Sequence, residues 1–113
     1  MHWKNISTSE DLELIDAISN ESPVIIFKHS TSCSISAMAK MRLESKYDLP
    51  YPAYYLDLLS YRNLSAAIAE KYKVYHESPQ VLLIHNEECI YDASHFDISV
   101  DELKEALAYE QGE

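Results

Sequence analysis

At 113 residues the chain has the length of one domain, and its 47% hydrophobic and 25% charged residues are globular proportions, with no apolar stretch near the ~20 residues a membrane-spanning helix needs. Nineteen acidic against nine basic residues, a net charge of -10, argue against nucleic-acid and other polyanionic partners, because phosphate neutralisation rests on Lys and Arg. The one glycine, Gly112, stands near the C-terminal end and leaves no phosphate-cradling loop, while two cysteines, Cys33 and Cys89, are too few for a disulfide framework and are not spaced as metal ligands.

In chain order, Trp3 and Ile6 suit a short edge strand, and Ser7, Thr8, Ser9 and Glu10 offer cap chemistry to a helix with Leu12, Ile15 and Ile18 on one face. The segment before Asn20 has only Lys4 as a basic residue and lacks the charged-then-apolar plan of a secretory signal, so a cytoplasmic, reducing setting is expected. Val24-Ile25-Ile26-Phe27 is an uninterrupted β-branched and aromatic run, the pattern of a strand buried on both faces. Polar Lys28 to Ser32 then lead into Cys33, and Ile35, Met38, Ala39 and Arg42 fall at helical spacing. Pro50 and Pro52 end that helix. Ala53 to Leu56 reads as a strand, and Leu64, Ile68 and Tyr72 mark a helix. After Ser78-Pro79, Val81 to Ile84 is a strand that turns at Asn86-Glu87 and returns through Cys89-Ile90-Tyr91. Ser99 to Glu102 is a capping box opening a last helix with Val100, Leu103 and Leu107 inward.

The order (β)αβαβαββα predicts a single α/β domain over residues 1–113, in three α/β/α layers around a mixed sheet of four or five strands. Parallel strands joined by helices and closed by a hairpin and a helix make the thioredoxin-like arrangement.

Within it, Cys33 falls where a central strand hands over to a helix. Free backbone N–H groups and the positive helix end there lower a thiol pKa, and Lys28, His29 and Lys40 are expected to add positive potential. Cys33-Ser34-Ile35-Ser36 is a Cys-x-x-Cys motif with its second thiol replaced by Ser36, so no intramolecular disulfide closes within it. Cys33 is then either an attacking thiolate of monothiol type or a buried or capping cysteine. Pro79 is expected as a cis-proline facing the thiol, with the backbone of Ser78 turned outward toward an extended substrate; as a trans residue it would only begin a strand. Cys89, among apolar residues of a hairpin, reads as inert core, with a resolving thiol as the alternative. His2, His76 and His85 are not at metal spacing with one another and receive no site; no metal is expected.

The segments Lys28-His29-Ser30-Thr31-Ser32-Cys33-Ser34-Ile35-Ser36, Arg62-Asn63-Leu64-Ser65, His76-Glu77-Ser78-Pro79-Gln80 and Ser94-His95-Phe96-Asp97-Ile98-Ser99 together resemble the successive motifs of the monothiol bacilliredoxins, the YtxJ family. Ser34 departs from that pattern, standing where many relatives carry proline, which would stiffen the first helical turn. The resemblance implies a thioredoxin-like fold and the removal of bacillithiol, a cysteinyl-glucosaminyl-malate thiol, from protein mixed disulfides. Bacillithiol is then a co-substrate, with no bound cofactor, and the partners are bacillithiolated proteins and a reducing dithiol.

By the same resemblance Cys33 is catalytic, with Ser32, Ser34, Ile35, Ser36 and His29 forming the thiol's surroundings. Ser78, Pro79, Gln80, Arg62, Ser65, Ser94 and His95 become substrate-binding candidates. On their own residues, Arg62 could equally be a cation at its helix start, Ser65 a helix-surface residue and His95 a structural loop histidine. Competing readings are a redox-inert interaction module and a thiol peroxidase or arsenate reductase built on the same cysteine.

Overall fold

The structure, a computed structural model, describes residues 2–30 and 32–110; Thr31 of the first motif and Gly112 lie outside them. The elements are β1 (Trp3–Asn5), α1 (Ser9–Ser19), β2 (Val24–His29), α2 (Ser34–Lys46), β3 (Ala53–Asp57), α3 (Arg62–Tyr72), β4 (Gln80–His85), β5 (Glu88–Ser94), a 3-10 turn (His95–Asp97) and α4 (Val100–Glu110). They form one five-stranded sheet in the order β1-β3-β2-β4-β5. β1, β3 and β2 run parallel, and β4 and β5 antiparallel.

The apolar run at Val24 places β2 between β3 and β4, and every residue of β2 is buried. Alternation along it feeds two cores. Val24 and Ile26 pack with Leu12, Ile15, Ile68 and Tyr72 of α1 and α3. Ile25 and Phe27 pack with Ala39 and Leu43 of α2 and with Leu103 and Leu107 of α4. Burying one such aliphatic side chain contributes about 1.5–3 kcal/mol, so this central strand carries much of the fold.

Local chemistry sets the element ends. Thr8 caps α1 in a reciprocal box whose acid is Asp11, and α4 opens on a bond from the Glu102 N–H to Ser99 Oγ at 3.1 Å. The hairpin turns on Asn86 and Glu87, both with positive φ and no glycine. That conformation is held from outside: the Asn86 N–H donates to the Ser19 carbonyl at 2.8 Å and the Glu87 N–H to Ser19 Oγ at 3.0 Å.

Two expectations are corrected. β2 does not end at Phe27 but continues through the polar Lys28 and His29, because both side chains find buried surroundings. The inward face of α2 is Ser36, Ala39 and Leu43, whereas Met38, placed on the core stripe, is 53% exposed. Ser36 displaces that stripe because its hydroxyl accepts the buried Ser30 N–H at 3.3 Å, which satisfies a donor that a hydrocarbon would strand.

Candidate functional site

At the C-terminal end of β2 the chain turns through Ser30 and Ser32 into α2, and Cys33 is the N-cap residue of that helix. Its own N–H donates to the Ser30 carbonyl at 3.2 Å and its carbonyl accepts from Ala37 at 3.1 Å, so the backbone that presents the sulfur is tied on both sides. The thiol is partly exposed. Hydrogen bonds from the Ser36 and Ile35 backbone N–H groups hold its pKa below the ordinary cysteine value against desolvation, with a smaller contribution from the Ser36 hydroxyl.

The anticipated help from cations is absent from this balance. Lys40 is paired with Glu44 at 3.0 Å. His29 is held neutral first by burial and then by Lys40; its ring lies between those of Phe27 and Tyr55, and its Nδ1 is buried without a partner. Lys28 points into the opposite core. Thus the thiol is tuned by helix-end donors.

Beside the C-terminal end of β2, the Ser78-Pro79 peptide bond is cis and leads into β4, whose Gln80 pairs in register with Lys28 on one side and Ser94 on the other. Ser78 Oγ is buried with no partner. The His95 N–H donates to the Pro79 carbonyl at 3.0 Å, which brings the loop after β5 against the cis-proline. His95 itself has φ 56°, a left-handed conformation that a non-glycine residue keeps only when its surroundings fix it. Arg42 supplies the second fixing contact: its guanidinium donates to the His95 carbonyl at 3.0 Å and to the Ile98 carbonyl at 3.3 Å. Helical spacing alone puts Arg42 on a stripe of α2 and does not reveal this role, because backbone carbonyls of a distant loop leave no signature in sequence.

The remaining candidates separate into two places. Ser32 Oγ lies 3.2 Å from Ser30 Oγ, and Ser34 is an exposed first-turn residue, so both stay beside Cys33. Gln80 is buried, its amide donating to the Tyr75 carbonyl at 2.9 Å and toward Asp92 at 3.4 Å. Its side chain braces the hairpin and faces no open surface. Arg62 and Ser65 instead line a groove of ≈ 650 Å³ beside α3, together with Leu58, Ala66, Tyr75 and His76. The Leu58 N–H donates to the His29 carbonyl at 3.0 Å, so this groove adjoins the end of β2 from which the Cys33 loop departs.

His76, not expected in any site, joins two of these segments. Lys28 Nζ and Ser65 Oγ lie 3.1 and 3.2 Å from its Nδ1. Lys28 is wholly buried, and burial pulls its pKa from 10.5 down to about 8 against the attraction of Asp92 and Glu77. A lysine that loses its proton more easily folded than unfolded weakens the fold at neutral pH, and the penalty fades as pH climbs from 8 to 10.5. Lys28→Met is therefore expected to stabilise the protein at pH 7 by about 1–3 kcal/mol, with Ser65 left as partner to His76. Urea titrations at pH 7 and 9.5 check this: the gain over the parent should shrink at the higher pH, and a destabilised variant at pH 7 would contradict it.

Cys89 lies at the far end of the hairpin. It pairs with Ile84, five residues along from Pro79, which at strand rise is about 17 Å. Its side chain packs on the core of α1 and α3, and burial followed by the Asp92 charge pushes its pKa to about 11. At neutral pH such a thiol holds little thiolate, the form that exchanges.

Comparison with known proteins agrees with this geometry. A model of the family described as monothiol bacilliredoxin BrxC matches residues 4–103. An oxidoreductase candidate with a thioredoxin fold superposes with a TM-score of 0.82 at 34% identity, over 91% of each chain. The thioredoxin Mala s 13 of Malassezia sympodialis gives a TM-score of 0.74 at 16% identity, over 96% of this chain and 90% of that one. Thioredoxin f2 of Chlamydomonas reinhardtii gives 0.72 at 12%, over 99% of both, and these last two bear on the fold alone. Among the described residues no helix is long and apolar enough to cross a membrane. With the sheet order, the N-cap cysteine and a match spanning nearly the whole length in agreement, the chain belongs to the monothiol bacilliredoxin family and is a thiol oxidoreductase of the thioredoxin fold.

Proposed function

We propose that the protein is a monothiol thiol-disulfide oxidoreductase that takes bacillithiol off protein mixed disulfides through Cys33. The observation that carries this reading is the hydrogen-bonded, partly exposed Cys33 sulfur, with Ser36 in place of a second thiol. The Cys33 thiolate attacks the bacillithiol sulfur of a protein-S-S-bacillithiol. The old S–S bond breaks, the electron pair leaves on the protein sulfur, and that thiolate takes a proton from water. Cys33 now carries bacillithiol in a new disulfide. A second thiolate, from free bacillithiol or a dithiol reductant, attacks the carried bacillithiol sulfur and releases Cys33 as thiolate.

Ser32, Ser34, Ile35, Ser36 and His29 shape the thiol. Ser78 and Pro79 receive the protein part of the substrate in extended form, with Gln80 supporting them from below. Arg62 and Ser65 hold the small thiol from the α3 side and Ser94 and His95 from the other. No bound cofactor or metal takes part, and a reducing cytoplasm suits a single working thiol.

The test is the release of bacillithiol from a protein carrying it in mixed disulfide, followed with time. Catalytic amounts of the protein with a thiol reductant should accelerate release well above the reductant alone. A rate equal to the reductant alone would favour the interaction-module reading, in which the groove binds a peptide and the sulfur is idle.

A further inference from the structure

The groove beside α3 gathers polar groups whose individual contacts say which part of the small thiol they would hold. Lys28 Nζ stands 3.1 Å from His76 Nδ1. An ammonium has protons to donate and no lone pair, so Nδ1 is the acceptor and the ring's single proton belongs on Nε2. Burial and the Lys28 charge both lower the His76 pKa, which keeps the ring in that neutral form. His76 is exposed to the groove, so it brings there an N–H polarised from behind by a buried cation.

Arg62 lines the same groove, and its guanidinium makes no hydrogen bond or ion pair with any described residue. It stands at the first position of α3, the helix end where a cation is unfavourable. In a chain with twice as many acids as bases, an unpaired guanidinium there is conspicuous. Among the groove's lining residues Glu70 is the only carboxylate, two turns further along α3.

We propose that this groove is the subsite for a carboxylate of the small-thiol co-substrate, with Arg62 and the His76 Nε2–H as its donors and Lys28 as a positioning residue that fixes the ring's tautomer. This rests on the bacillithiol reading and names the part recognised: the malate arm, whose planar carboxylates suit a guanidinium fork and a ring N–H. Specificity for the co-substrate then comes from its charge.

Nitrogen-15 spectra of the histidine rings test it, with L-malate as the probe and its dimethyl ester as the uncharged control. The native protein should show His76 as the Nε2–H tautomer, with its signals moving on addition of malate and staying in place with the ester. Lys28→Met should return a mixture of tautomers and weaken malate binding about tenfold, as should His76→Gln for the binding. An unmoved His76 signal, or equal movement with the ester, overturns the assignment.

A second arm compares Cys33 adduct formation from bacillithiol disulfide and from the disulfide of its malate-free cysteinyl-glucosamine part. The native protein should prefer the former about tenfold, and His76→Gln should erase the preference. Equal native rates overturn the subsite alone; no adduct from either disulfide overturns the bacillithiol reading itself.

Discussion

Cys33→Ser is expected to abolish bacillithiol release, returning it to the rate of the reductant alone, whereas Cys89→Ser should leave turnover within about twofold of the parent. The asymmetry follows from surroundings. Cys33 receives N–H donors at a helix start and reaches solvent, while Cys89 has its pKa pushed to about 11 and sits in the core at the other end of β4. Thiolate character and access decide which sulfur exchanges. A Cys89→Ser variant that accumulated the Cys33 adduct would make Cys89 a resolving thiol and contradict this account of the hairpin.

Ser36→Ala has the second largest expected effect. The Ser36 hydroxyl is the weakest of three donors holding the Cys33 pKa down, behind the Ser36 and Ile35 backbone N–H groups, and it also accepts the buried Ser30 N–H. Removing it should raise the Cys33 pKa and slow its alkylation by iodoacetamide at pH 6 by about twofold. The sign is fixed by the direction of the shift: a thiol whose pKa is lowered holds more thiolate at acid pH, so losing a donor costs most there. At pH 10, where either form is ionised, the two rates should converge. A rate difference independent of pH would mean that Ser36 acts through packing instead. Because the Ser30 N–H loses its acceptor, a modest loss of thermal stability should accompany the change.

Much of the fold was legible because its signals are local. The Val24 to Phe27 run, the Ser78-Pro79 pair and the Leu64, Ile68 and Tyr72 spacing each declare their element within a few residues. The exceptions share one cause, a polar side chain whose partner is distant in sequence. Lys28 extends β2 because His76, 48 residues on, accepts from it. Ser36 turns inward on α2 because of Ser30, and a period based on hydrophobicity gives that place to Met38.

The same holds at the site. Cys33 at a helix start could be read from the strand-to-helix transition alone. His76 and Arg42 could not, although His76 stands inside one of the motifs that carried the resemblance. The loop conformation at His95 was also hidden, since its positive φ depends on Arg42 and on the Pro79 carbonyl. The shared feature of Lys28 and His76, two basic residues within the chain's most distinctive motifs, was the available clue that they meet.

Intact mass spectrometry after exposure to bacillithiol disulfide addresses the central point most directly. The account predicts one adduct of bacillithiol mass, mapped to Cys33 and removed by a thiol reductant, with Cys89 unmodified. An unmodified protein, or an adduct on Cys89, would contradict it.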